Sequence, residues 1–170
     1  MRPGPREPRR DWTFGWAAFG CAVLVFVGST LLPQRSVLPL KVAGLLVLLA
    51  AIPLMFAPFV YLKRHGGVPT GRPYYETTVV VARGPFRLVR HPQYVGYALL
   101  MVGLSLIAFN GITLPVAAIG AALFYLQARN EERQCVAALG EAYRAYMEAV
   151  PRFNVVAGLV RLVRKRIRRR

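Results

Sequence analysis

Apolar residues fall into three long blocks, and none of the blocks carries a charge. Asp11 and Arg35 bracket the first, Lys41 and Lys63 the second, and no Asp, Glu, Lys or Arg occurs between Arg90 and Arg129. A surface helix of a soluble protein keeps a polar face toward water, and these blocks offer none. A bilayer core takes roughly 20 apolar helical residues. The first block predicts a span over residues 12–32 and the second a span over 38–62. Pro53 and Pro58 fall inside the second, which a membrane helix tolerates where neighbours satisfy the freed carbonyls. The third block is too long for one span, and Phe109-Asn110-Gly111 supplies turn formers at its middle. It divides into spans over 92–109 and 112–129. The pattern predicts an all-α polytopic membrane protein with four transmembrane helices, one domain over residues 1–170.

Composition supports that reading. Of 170 residues, 55% are hydrophobic and 18% charged, against about 45–50% and about 25% in soluble domains. The 23 basic residues outnumber the 7 acidic ones, and they cluster between the spans. Arg2, Arg6, Arg9 and Arg10 precede the first, Lys63 to Arg90 fill the middle loop, and eleven run from Arg129 to Arg170. The loop after the first span has Arg35, with Lys41 near its end, and the 109–111 turn has none. By the positive-inside rule both termini and the middle loop are cytoplasmic. The first block is longer than a signal-peptide core, and Leu31-Leu32-Pro33-Gln34-Arg35 is a poor cleavage site, so the segment is expected to stay. No Cys/His spacing suggests a metal site. The tail, residues 161–170, holds seven basic residues and is expected to meet anionic lipid headgroups. It has no aromatic platform for nucleic acid, and none is expected as a partner.

The middle loop carries the chemistry. His65 to Pro73 is turn-rich, and Thr77 to Ala82 is β-branched, either a short extended segment or one that packs under the membrane face. Then comes Arg83-Gly84-Pro85-Phe86-Arg87-Leu88-Val89-Arg90-His91-Pro92-Gln93-Tyr94-Val95-Gly96. Pro92 suits the first turn of a helix, which places His91 at the mouth of the third span. A helix start presents free N–H groups and a positive dipole end, suited to a carboxylate or phosphate. The fourth span ends in Arg129-Asn130-Glu131-Glu132-Arg133. Two antiparallel spans of similar length bring His91 and Tyr94 level with the Glu pair. Ionisable residues at a membrane boundary point to function. Beyond them, Cys135, Val136, Leu139, Tyr143 and Met147 follow helical spacing up to Pro151.

These motifs, with Asn110, Leu139-Gly140-Glu141-Ala142-Tyr143 and Val150-Pro151-Arg152-Phe153, resemble a family. It is the integral-membrane methyltransferases that include isoprenylcysteine carboxyl methyltransferase and the phospholipid methyltransferases. The resemblance covers about residues 77–153. It implies S-adenosylmethionine (SAM) as methyl donor and a lipophilic acceptor, either the carboxylate of an isoprenylcysteine-like lipid or a phospholipid amine. Carried over by motif, cofactor binding falls to Thr78, Val79, Val80, Val81, Phe86, His91, Pro92, Gln93, Tyr94 and Glu131 at a cytoplasmic site. Gln127 stands where the isoprenylcysteine enzymes carry an arginine toward the acceptor, and Arg129 or Arg90 could serve instead. Glu132 is a candidate base for an amine acceptor; no residue is assigned to catalysis. The alternative of another class is a non-enzymatic four-span scaffold. Gly96, Gly103, Ser105, Ala117, Ala118, Ala121 and Ala122 are expected to form helix-packing surface.

Overall fold

A computed structural model describes residues 11–168; the arginines of the N-terminal arm, Arg169 and Arg170 lie outside the described residues. Within 11–168 the chain forms five α-helices and one 3-10 turn, with no strand. They are α1 (Thr13–Leu31), α2 (Leu38–His65), the 3-10 turn Gly84–Arg87, α3 (Pro92–Ala108), α4 (Thr113–Ala149) and α5 (Val155–Ile167). The four spans read from the sequence start within a residue of α1 to α4.

Helices α1 and α2 are long and apolar enough to cross a membrane, and α3 is a shorter apolar helix. Only 22% of the most apolar window of α1 and 11% of that of α2 is buried. A core helix of a soluble protein would be mostly covered. Here Trp16, Phe19, Leu24 and Phe26 of α1 and Leu45, Leu49, Ile52 and Phe56 of α2 face outward.

Successive helices run antiparallel, and their ends are tied. At one end the Arg35 N–H donates to the Ala108 carbonyl at 3.2 Å and the Ser36 hydroxyl to Leu106 at 2.8 Å. Asn110 shapes the turn between α3 and α4 there. Its Nδ2 donates to the Gly28 carbonyl at 2.8 Å, and its Oδ1 accepts from the N–H groups of Ile112 and Thr113. At the other end lie the start of α1, the end of α2, the start of α3 and the Glu131-Glu132 turn of α4.

Helix α2 packs on α3, α3 on α4 and α1, and α1 on α4. Glycines allow the α2–α3 approach: a Cβ at Gly44 would lie 2.7 Å from the Gly103 carbonyl oxygen, and one at Gly96 2.8 Å from the Met55 nitrogen. Of the α4 alanines expected to pack, Ala117 is fully buried, whereas Ala118 and Ala122 are exposed. The core between α1, α3 and α4 holds Val25, Tyr94, Met101, Ala117 and Phe124.

Helix α4 runs on past the end of its apolar stretch, because nothing between Arg129 and Leu139 stops a helix. It kinks at Gly140, whose φ of 58° and ψ of −136° suit glycine almost alone. The kink turns Tyr143, Tyr146 and Val150 into a second cluster, against which Val80 and Cys135 pack. The helix ends just before Pro151, as expected.

Candidate functional site

His91 is the N-cap of α3, with Pro92 following at the first helical position. The segment around Pro151 runs alongside it. The Arg90 N–H donates to the Pro151 carbonyl at 2.9 Å and the His91 N–H to the Arg152 carbonyl at 3.3 Å. Two motifs some sixty residues apart are therefore one piece of backbone. The Tyr146 hydroxyl fastens the same region by donating to the Phe86 carbonyl at 2.8 Å.

The His91 ring sits between the two glutamates. Nδ1 lies 3.5 Å from Glu131 Oε2 and Nε2 3.2 Å from Glu132 Oε1. His91 is thus level with the Glu pair, as the sequence predicts. Glu132 is almost fully buried and is the hub of a charge cluster. Its Oε1 accepts from Arg90 Nε and from Arg152 Nε, both at 2.9 Å, and its Oε2 from Arg152 Nη2 at 2.6 Å. Arg90 also donates to the carbonyls of Met147 and Val150. Arg152 donates to the Tyr125 hydroxyl and lies over that ring.

Burial alone would raise the Glu132 carboxyl, but hydrogen bonds from His91 and Arg152, with the charges of His91 and Arg90, bring it down to about 2. Burial likewise pushes His91 down. Its hydrogen bonds to Glu131 and Glu132, and their charges, outweigh that and leave it raised. The His91 ring is therefore biased toward the imidazolium.

Beside this cluster lies a cavity of about 610 Å³, within the usual range of small-molecule sites. Its polar end is formed by Arg90, His91, Gln93 and Glu131. Its apolar part runs between α1 and α2, past Phe19, Ala22, Met55 and Leu100. The ring of Tyr94 is stacked between His91 and Phe124, at centroid distances of 5.7 and 5.2 Å. Gln93 Nε2 donates to the Tyr97 hydroxyl at 2.8 Å.

Of the residues read from the sequence, Phe86, His91, Pro92, Gln93, Tyr94 and Glu131 line this cavity together. Thr78, Val79, Val80 and Val81 do not. Thr78 is tied to the end of α2, its N–H to the Gly66 carbonyl and its hydroxyl to that of Gly67; Val80 packs on the Tyr143 cluster and Val81 is buried. Gln127 and Arg129 also lie off the cavity wall. Gln127 is fully buried, its Oε1 accepting from the Gly15 N–H at 3.0 Å and its Nε2 donating to the Asp11 carbonyl at 2.9 Å. Arg129 is exposed.

The other wall residues were not assigned to the site from the sequence, among them the aromatic Trp12, Tyr74 and Tyr75. Trp12 reads in sequence as the aromatic start of a span. The adjacent tyrosines after Pro73, in a polar loop, were the available signal. In the structure Trp12 meets Tyr75 edge-on at 5.8 Å, and Tyr75 meets Tyr74 at 5.4 Å.

A carboxylate, a helix N-terminus and flat aromatic rings around one cavity can hold a molecule with cationic, anionic and planar parts. The apolar part can take a hydrocarbon chain. Neither the curated proteins nor the solved structures give a match to this chain. The model of the phospholipid methyltransferases matches residues 39–142, more than half the chain, and takes in α2, α3, the His91 box and both glutamates; the chain belongs to the phospholipid methyltransferase family.

Proposed function

We propose that this chain is a four-span membrane enzyme that transfers a methyl group from SAM to a lipid entering the cavity from the bilayer. The observation that carries the reading is the single cavity that joins a polar mouth, with His91 and Glu131, to an apolar channel between two outward-facing apolar helices. The donor set fits the cofactor. Glu131 suits the ammonium or ribose diol, the positive dipole end at the start of α3 suits the carboxylate, and Phe86 offers a ring to the adenine. When bound, SAM supplies an electrophilic methyl on a sulfonium. The chain's own part is to hold both reactants in line and keep water out, which can lower a barrier by roughly 7–11 kcal/mol.

The structure favours an amine over a carboxylate acceptor. Arg90, the arginine on the cavity wall, already serves Glu132 and two carbonyls. Gln127, at the position of the acceptor arginine in the isoprenylcysteine enzymes, is committed to α1. The rings of Trp12, Tyr74 and Tyr75 suit an ammonium headgroup, since a cation is attracted to an aromatic face. Glu132 is a poor base for such an acceptor, because both its oxygens are held by guanidinium groups. With the basic end of the helices in the cytoplasm, both termini and the site lie on that side.

The test is incubation of the purified protein with methyl-labelled SAM and membrane lipids, reading the product linkage. An alkali-stable methylamine is expected. A base-labile ester would overturn the amine assignment. Absence of transfer, together with equal SAM binding by the parent and Glu131→Gln, would leave the scaffold reading standing.

A further inference from the structure

Helix α5 does not belong to the cavity just described, yet it is the most amphipathic helix of the chain. Val156, Leu159, Val160, Val163 and Ile167 are all exposed and recur at three- and four-residue spacing, one stripe along the helix. Arg161, Arg164, Lys165 and Arg168 occupy the opposite arc. Such a helix buries its stripe in the headgroup boundary of a membrane and sets its cations among anionic lipids.

A second cavity, about 790 Å³, separates α5 from the 3-10 turn and the end of α2. Arg87, Lys165 and Arg166 supply its cations, and Tyr61, Leu159 and Val163 supply apolar wall. Tyr61 lies over Gly84 at the end of α2, next in sequence to the exposed Val60. The cavity thus has a charged part and an apolar part, and the apolar part includes Leu159 and Val163 of the exposed stripe of α5. The occupant with matching chemistry is a phospholipid with a net negative headgroup. Its phosphate would lie among the three cations, and its acyl chains would run along Leu159 and Val163.

We infer that the groove between α5 and the Gly84–Arg87 turn is a binding site for an anionic phospholipid, distinct from the acceptor site. It rests on the reading of the chain as a membrane enzyme. The site is also mechanically joined to the first. Gly158 of α5 packs so closely on the Leu88 carbonyl that any Cβ there would collide with it. Arg161 donates to the Arg87 carbonyl. Leu88 and Arg87 lie three and four residues before His91. A lipid that fixes α5 therefore fixes the segment that carries Phe86 and His91, and is expected to tighten SAM binding.

The experiment uses the full chain in phosphatidylcholine vesicles with a small fraction of photoreactive phosphatidylglycerol, and maps the cross-linked peptides. Cross-links are expected on α5 and on the peptides around Tyr61 and Arg87. Lys165→Gln/Arg166→Gln should lower these by roughly thirtyfold at sub-saturating label, from about one charge's worth of attraction lost at each position. Photoreactive phosphatidylcholine should mark α1 and α2 equally in both proteins. That mark reports membrane embedding itself, so its presence without the α5 cross-links would overturn the lipid site and leave the membrane reading untouched. Loss of the α5 cross-links on adding inorganic phosphate, or on adding RNA, would assign the groove to a soluble anion or to nucleic acid and overturn the proposal. SAM affinity of the parent that is the same in phosphatidylcholine alone as with phosphatidylglycerol would overturn the coupling.

Discussion

Arg152 grips Glu132 at two points, Nε to Oε1 at 2.9 Å and Nη2 to Oε2 at 2.6 Å, and so fastens the segment after α4 to α4 itself. Arg90 reaches the same carboxylate from the loop before α3. One buried charge therefore holds three parts of the chain behind the proposed cofactor site. Glu131, one residue earlier, instead lines the cavity.

The two glutamates should respond differently to loss of charge. Glu132→Gln leaves Arg90 and Arg152 without their counter-charge, a loss of about 3–5 kcal/mol for a buried pair broken on one side. Its melting temperature in detergent should fall steeply. Glu131→Gln weakens the contact with His91 and should lower the melting temperature less than Glu132→Gln does, but it should bind SAM about ten- to hundredfold more weakly by calorimetry, the cost of one charge-assisted hydrogen bond. The reverse pattern would exchange the roles assigned to the pair.

The cluster should also set a pH window for stability. Glu132 is held down to about 2 in the fold, so its contribution is present above the unfolded value near 4.5 and is lost as pH falls toward 2. His91 is raised in the fold, so its contribution is full below the unfolded value of 6.5 and is lost as pH climbs through the raised one. The cluster should stabilise best between those two unfolded values. Melting curves across pH should show the alkaline decline in the parent and a flatter alkaline limb in His91→Gln. An identical alkaline limb in the two proteins would remove His91 from the account.

Much of this was legible beforehand, for reasons that particular residues make plain. The charge-free blocks and the Asn110-Gly111 turn mark α1 to α4, and the similar lengths of the two halves of the third block, on either side of that turn, bring His91 to the Glu pair. What the pattern hid were contacts between segments distant in sequence. Nothing local marks Gln127 as a cap for α1, or Arg152 as the partner of Glu132. The family resemblance is what assigned Thr78 to Val81 to the cofactor. The hydrogen bonds of Thr78 to the end of α2 direct that segment elsewhere. Gly140 looked like part of a motif, and its backbone conformation reveals a kink.

Topology offers a separate test. With native cysteines replaced, Thr70→Cys in the middle loop should label from the cytoplasmic side of sealed vesicles. Ile112→Cys, exposed at the opposite turn, should label from the other side. Labelling of position 70 from the non-cytoplasmic side would invert the proposed orientation and move the site across the membrane.

Gln127 separates a structural role from a substrate contact. Its carbonyl oxygen receives the Gly15 N–H, one of the first-turn donors of α1 that has no partner within its own helix. Its amide nitrogen satisfies the Asp11 carbonyl just before that helix. The side chain is wholly buried, so water cannot replace it. Gln127→Leu should therefore lower the melting temperature, by about 1–3 kcal/mol of stability for each buried group left unpaired. The acceptor KM, measured with labelled SAM and extracted membrane lipids at a temperature where the variant is folded, should stay near that of the parent. Gln127→Arg should not create a carboxylate subsite, because a guanidinium has no acceptor for the Gly15 N–H and no vacant volume to fill. A Gln127→Leu protein that melts like the parent but shows a raised acceptor KM would return this residue to the substrate site.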